Sequence, residues 1–322
     1  MSGLLFVTAT RIGDAILSTG VLGRFTACWP DAPVTVACGP VAAPLFAHLP
    51  GLERVHVMAK RPRGGHWLDL WRAAVGRRWD AVVDLRGSVL AWLLAARTRR
   101  VRRRWRLADD RHRVVELAAA FGFAPPPAPR LWLGEADRAA AQRLLPPGDP
   151  VLAIGPTANW AGKEWRAERF AELARRLTSP GGPLPGARVA VLAAAAERGR
   201  AQPVLDALAP DRRIDLVGED LLTAAACLER AALFVGNDTG LMHLAAAAGA
   251  PTLGLFGPSD ERHYAPWGER TAVVRTPQSA AALVGTPGFD HRTTGTLMDG
   301  LSVESVEAAA TALARRPAGA AA

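Results

Sequence analysis

Short runs of consecutive apolar residues recur along this chain, rich in Val, Leu and Ile and separated by longer amphipathic stretches. A continuous apolar run suits a strand covered on both faces, as in a parallel sheet, whereas a half-exposed strand would alternate. In the first half the pattern predicts strands at 4–9, 33–38, 53–58 and 80–85, with helices at 14–28, 66–78, 88–97 and 110–121. It restarts with strands at 151–155, 187–193, 213–217, 231–236 and 251–256, and helices at 167–178, 197–208, 221–230, 239–249 and 302–315. Strand–helix alternation of this kind implies an α/β chain of doubly wound parallel sheets. The stretch 123–150, FAPPPAPRLWLGEADRAAAQRLLPPGDP, is proline-rich at both ends and reads as a linker. We therefore expect one domain over 1–150, linker included, and a second over 151–322. They should face a cleft, with ligands at the C-terminal ends of strands.

Composition narrows the function classes. With 322 residues the chain can build two domains of ordinary size. No apolar run approaches the roughly 18 residues needed to span a bilayer. The N-terminus MSGLLFVTATRIGDAIL lacks the basic start of a signal peptide. Cys28, Cys38 and Cys227 are scattered, with neither metal-ligand spacing nor the even count of a disulfide framework, so a cytoplasmic location is expected. Net charge is +9, carried almost wholly by arginine, since lysine occurs only at Lys60 and Lys163. The excess is one-sided: residues 1–150 hold 22 basic and 12 acidic side chains, residues 151–322 hold 17 and 18. The first half should therefore meet something anionic.

Four stretches carry candidate chemistry. VGNDTGLMHLAAAAG (235–249) runs from a strand through a polar turn into a helix, with Asp238, Thr239 and Gly240 at its start and His243 one turn on. Helix N-terminal amides favour anions, so this arrangement suits a phosphate; a capped core helix explains it equally well. After strand 4–9, Asp14 stands where a helix begins, either as a cap or as a general base. After strand 151–155, Lys163 sits in a polar turn without a Walker pattern, and no G-x-G-x-x-G follows either opening strand. Glu197 follows strand 187–193, where a carboxylate caps a helix or holds ribose hydroxyls. The run 97–113 packs nine arginines around one aromatic, Trp105, which suits an acidic sugar, a phosphorylated lipid or a membrane better than nucleic acid.

Together these motifs resemble glycosyltransferase family 9, the bacterial heptosyltransferases of lipopolysaccharide core assembly. DTGLMHLAAAAGAPTLGLFGPSDERHYAPWG (238–268) matches the family's D-[ST]-G-x-x-H, F-G-P-[ST]-D and P-W-G elements. LLFVTATRIGDAILSTGVL is similar to its N-terminal strand–loop–helix, and DLRGSVLAWLLA (84–95) and GPTANWAGKEWRAERFAELA (155–174) to its middle motifs.

The resemblance implies a GT-B fold of two Rossmann-like domains, acceptor bound by the first and nucleotide-sugar by the second. It implies transfer of a heptose or related sugar from an ADP-sugar, with inversion and without metal or other cofactor. Asp14 falls on the catalytic base. Thr157, Lys163, Glu197, Asp238, Thr239, Gly240 and His243 fall on the donor site. The acceptor would be a lipopolysaccharide core or similar anionic glycolipid, met by Lys60, Arg61, Arg63, Arg102, Arg103 and Arg104, with peripheral contact at the inner membrane and no nucleic acid partner. Gly20 stands where the family usually has proline and Arg86 where it often has glutamine. The rival readings are a GT-B enzyme using another nucleotide sugar, an epimerase included, and a non-catalytic polyanion-binding module.

Overall fold

The computed structural model describes residues 3–102, 111–285 and 289–317. The chain divides into two units, Met1–Gly134 and Glu135–Ala322. The division precedes the expected boundary at 150, because the presumed linker contains a helix, Glu135–Leu144, that packs on a helix of the second unit.

The first unit is a parallel five-stranded sheet built from β1 (Leu4–Val7), β2 (Val34–Cys38), β3 (Leu52–Val57), β4 (Trp79–Asp84) and β5 (Ala96–Val101), in the order β3-β2-β1-β4-β5. The connection β1–α1–β2, with α1 spanning Ile12–Cys28, steps one way across the sheet. The connection β3–α2–β4, with α2 spanning Gly65–Ala74, and the crossover from β4 to β5 step the other way. Right-handed crossovers put the two sets on opposite faces. Consistent with this, α2 and the β4–β5 crossover share one core cluster, in which Leu70 and Ala74 meet Leu90, Ala91 and Leu94. The helix expected over 88–97 is instead a short 3-10 turn, Val89–Trp92, followed by β5. Leu and Ala had suggested helix, but a parallel neighbour for β4 must start back at its N-terminal end, so the segment is used as a crossover. Helix α3 (Arg113–Phe121) packs on α1.

Gly20, the departure from proline, has a packing reason. A Cβ there would lie 2.4 Å from the carbonyl oxygens of Pro127 and Ala128, which cross α1 at that point. The crossing is fixed by the Arg130 amide, which donates to Thr19 Oγ1 at 2.8 Å.

The second unit opens with α4 (Glu135–Leu144) and forms a six-stranded parallel sheet: β6 (Val151–Gly155), β7 (Arg188–Val191), β8 (Arg213–Asp215), β9 (Leu233–Asn237), β10 (Thr252–Phe256) and β11 (Thr271–Arg275). The order is β11-β10-β9-β6-β7-β8. Helices α5 (Ala167–Thr178), α6 (Arg198–Asp206), α7 (Leu221–Glu229), α8 (Gly240–Ala247) and α11 (Val303–Ala314) cover it, with short α9 (Glu261–Tyr264) and α10 (Ala280–Val284) between. Strand β11 was not expected: all five of its residues are half-buried, and TAVVR sits at the sheet edge, where the apolar signal is weakest. Among the described residues no helix is long and apolar enough to cross a membrane.

Candidate functional site

The second unit gathers the predicted donor residues beyond the C-terminal ends of β6, β7 and β9; β6 and β9 pair directly, Gly155 opposite Gly236. Asn237, fully buried at the end of β9, stitches the two loops. Its Nδ2 donates to Pro156 O at 2.8 Å, and its Oδ1 accepts from the Trp165 amide at 3.1 Å. Trp165 is itself sunk in the core, its indole donating to Leu301 O at 2.9 Å and meeting Phe170 edge-on. The Lys-x-Trp spacing thus has a mechanical sense: the tryptophan anchors the turn Ala161–Lys163 and the lysine projects from it. Lys163 Nζ lies 2.5 Å from Asp238 Oδ2, and the two side chains are 19% and 6% exposed. A cation so nearly buried needs such a partner. The same carboxylate cannot also bind phosphate favourably, so Asp238 holds the lysine rather than the anion.

Helix α8 begins immediately after. Its N-cap is Thr239, but the threonine side chain makes no capping bond, and its Oγ1 is buried without a hydrogen-bond partner among the described residues. By contrast, Asp220 accepts from two amides of α7 and Ser302 from one of α11, whereas α1, α2, α5 and α6 share with α8 the lack of a side-chain cap. The first turn of α8 therefore presents amides and a hydroxyl that no side chain satisfies, beside an ammonium group, which is the chemistry of an anion seat. His243, 4% exposed, is on the same helix, with its ring centroid 6.5 Å from that of Tyr264.

Thr157, 2% exposed, donates to Glu197 Oε2 at 2.7 Å. Glu197 does not cap α6; its carboxylate turns back to the Ala194 amide and pairs with Arg200 at 2.9 Å. Arg200 also pairs with Glu164, which accepts from the Ala158 amide at 2.8 Å. Burial pushes the Glu164 carboxyl above its usual range, against the pull of that amide and of Arg200. Glu164, Arg200 and Asn237 brace this site and were missed from sequence. Their partners lie up to 81 residues away, so only the adjacency of Glu164 to Lys163 and of Asn237 to Asp238 hinted at them.

In the first unit Asp14 is the third residue of α1, whose N-cap is Arg11, so it does not cap the helix. It is 29% exposed, accepts no hydrogen bond among the described residues, and has Arg113 Nε at 3.7 Å. It lines a cavity of about 360 Å³ at the C-terminal ends of β1 and β4, with Arg11, Trp67, Arg86, Arg102 and Arg113 on the wall. The Arg86 guanidinium lies 5.1 Å over the Trp67 ring. Its backbone is fixed by Asp84, fully buried, whose carboxylate accepts from the amides of Arg86, Gly87 and Ser88. Arg86 Nη1 and Arg102 Nε are both buried without hydrogen-bond partners among the described residues. Unpaired buried donors are costly, and they suit an anionic visitor.

The arginine run does not act as one surface. Arg99 spends its guanidinium on the carbonyls of Ala91, Leu94 and Ala96. Arg102 and Arg113 pair with Glu116. Arg97 and Arg100 are exposed. Arg103 and Arg104 lie outside the described residues. Lys60, Arg61 and Arg63 are exposed on the loop before α2 and away from the cavity lining, with Arg61 paired to Asp69 at 2.6 Å. Among the described residues no three His, Cys, Asp or Glu side chains converge as metal ligands would.

A family model described as glycosyltransferase family 9 (heptosyltransferase) matches residues 83–286. Lipopolysaccharide heptosyltransferase 2 of Salmonella typhimurium is 25% identical over 311 residues, covering 84% of this chain and 87% of that protein. Its Escherichia coli namesake is 31% identical over 160 residues, 46% of this chain and 44% of that one. Among solved structures, a family 9 glycosyltransferase from Veillonella parvula superposes with a TM-score of 0.79 at 20% identity, covering 97% of each chain. An E. coli heptosyltransferase with ADP gives 0.70 at 19%, covering 95% of this chain and 98% of that one. Both structural likenesses show the fold, the two Rossmann-like parallel sheets of the GT-B class.

Proposed function

The chain belongs to glycosyltransferase family 9, and on that premise we propose that it moves a heptose from ADP-heptose to an anionic glycolipid of the lipopolysaccharide core type, inverting the anomeric carbon without a metal. Asp14 takes the proton of the acceptor hydroxyl as that oxygen attacks the anomeric carbon. The bond from that carbon to the diphosphate breaks on the opposite side, and the electron pair leaves on the terminal phosphate oxygen of ADP. One displacement of this kind inverts the centre, as in inverting glycosidases. The growing negative charge is met by Lys163, the first amides of α8 at Gly240, the Thr239 hydroxyl and His243. Glu197 and Thr157 serve the ribose side of the donor.

The observation that carries the reading is the uncapped start of α8, with the Thr239 hydroxyl buried and unsatisfied. It supports a diphosphate seat, as does the Lys163 ammonium held by Asp238 beside Thr239 in the chain. On the acceptor side, Arg86 and Arg102 receive an acidic group of the glycolipid, while Lys60, Arg61, Arg63, Arg103 and Arg104 draw it toward the cytoplasmic membrane face. The test is to incubate the protein with ADP-heptose and a series of truncated core lipids and to weigh the products by mass spectrometry. A gain of one heptose with release of ADP, unchanged by chelator, is expected. Consumption of a different nucleotide sugar, or a strict need for Mg²⁺, would refute it.

A further inference from the structure

Among the described residues, the large apolar side chains that stand most exposed all belong to the first unit. Five of them gather on one face. Leu68 (46% exposed) and Val75 (40%) lie seven positions apart on and just after α2, and so on the same side of it. Val89 (71%), Trp92 (60%) and Leu93 (60%) come from the β4–β5 crossover, which covers the same sheet face as α2. The crossover is patterned in both directions. Leu90, Ala91 and Leu94 are at most 5% exposed and pack inward, while their immediate neighbours point out. Nor is this a loose loop, since Arg99 clamps the crossover carbonyls of Ala91 and Leu94 at 3.0 and 2.5 Å, and that of Ala96 at the start of β5.

The surroundings are basic. Residues 60–102 hold 11 basic and three acidic side chains, and Arg72, Arg78, Arg97 and Arg100 are exposed among them. Two of the acids are partly spent, Asp69 on Arg61 and Asp80 on Arg97 at 3.6 Å. A rigid apolar face that includes a tryptophan, within a basic border, has the composition of an interfacial membrane contact. A second copy of the chain would set the same basic border against itself, and like charges disfavour that.

We propose that the face made by α2 and the Val89–Leu93 crossover docks on an anionic phospholipid bilayer, with Trp92, Leu93 and Val89 entering the headgroup boundary. The placement rests on the acceptor reading only for its purpose. Trp67 and Arg86 line the cavity that holds Asp14, and Leu68 and Val89 follow them one and three residues later, so the same two segments carry both the cavity wall and the apolar face. A lipid held by its acyl chains in the bilayer would then present its sugar to that cavity.

The experiment compares the full chain with the Val89→Ser/Trp92→Ser/Leu93→Ser variant and with Arg97→Gln/Arg100→Gln, none of which lines the cavity. Sedimentation is measured with phosphatidylglycerol vesicles and with phosphatidylcholine vesicles, at low and high salt. The parent should bind phosphatidylglycerol selectively. The serine variant should partition on the order of 10- to 100-fold more weakly, since three apolar groups no longer leave water. The glutamine variant should lose the part of binding that salt screens. Transfer to a water-soluble truncated acceptor, and ADP binding in the second unit, should stay as in the parent, which also verifies folding. Equal sedimentation of parent and serine variant overturns the proposal. So does a parent dimer that the serine variant abolishes, since the face would then be a self-interface. A parent that binds vesicles yet transfers no heptose would sink the acceptor reading alone; one that transfers heptose in solution yet ignores vesicles would sink the docking alone.

Discussion

Replacing Lys163 by methionine should produce two separable losses, and a second substitution should restore only one of them. At 2.5 Å the Lys163–Asp238 attraction is about 7 kcal/mol at an effective dielectric of about 20, and desolvation of two nearly buried ions offsets most of it. The pair itself therefore adds little net stability. Removing the lysine alone is different, because Asp238, 6% exposed, is left as an uncompensated buried charge, at a cost of about 3–5 kcal/mol. The second loss is the charge-assisted contact with the donor diphosphate, about 1.5–3 kcal/mol, or roughly 10- to 150-fold in the Kd for ADP. The stranded carboxylate also repels the diphosphate, so the single variant should bind worse than that range. Adding Asp238→Asn removes the buried charge. The double variant should regain most of its stability in urea unfolding, yet by calorimetry still bind ADP at least 10-fold more weakly than the parent. If Lys163→Met unfolds and binds ADP as the parent does, neither the pair nor the seat exists as described. Parent-like ADP affinity in the double variant would mean the lysine never touches the diphosphate.

Asp14→Asn should keep ADP affinity and lose roughly 10²- to 10⁴-fold in turnover; a variant within a few-fold of the parent would reduce Asp14 to a charge at a helix start. Arg86→Gln should raise the acceptor KM by about 10-fold or more and leave the donor KM unchanged, because Arg86 lines only the first unit's cavity; a shift in donor KM instead would contradict that assignment. Gly20→Ala should destabilise by about 1–3 kcal/mol, since the new methyl meets two backbone carbonyls rather than a movable side chain; an unchanged melting temperature would refute the crossing of 127–128 over α1. Burial raises the Glu164 carboxyl above its usual 4.5, so the folded state holds that proton more tightly and ionisation opposes folding. Stability should therefore fall as pH rises from the usual carboxylate value through the raised one. The advantage of Glu164→Gln over the parent should grow across that window, and a pH-independent difference would show the sign to be wrong.

Strands β1, β2, β4, β6, β7, β9 and β10 were legible because each is a short, largely apolar run that is almost wholly buried, and periodicity reads that directly. The exceptions share a cause. Strand β5 is built from Ala96–Val101, with three arginines in six residues, a composition tolerated only because the strand lies at the sheet edge. Nothing local to LLAAR distinguishes a helix from a crossover; pairing with β4 decides it. Helix α4 was hidden inside a proline-flanked stretch whose ends do resemble a linker. At the candidate site, the turn DTGLMH and the lone lysine of the second half announced themselves by residue type. The partner that neutralises that lysine is 75 residues away, and the side chains that brace the two loops act through backbone groups that carry no sequence signal.

The bare start of α8 also bears on how this protein can be improved or can drift. A threonine that folded back on its own helix, as Asp220 does at α7, would add about 1 kcal/mol of stability. Selection for thermal robustness alone would favour such a change at position 239, and it would occupy the amides proposed to seat the donor. Melting temperature without nucleotide is thus a misleading guide to fitness here. Variants ranked by the stability they gain when ADP is added would be ranked by the proposed function, because a ligand that binds only the native state stabilises it in proportion to its affinity.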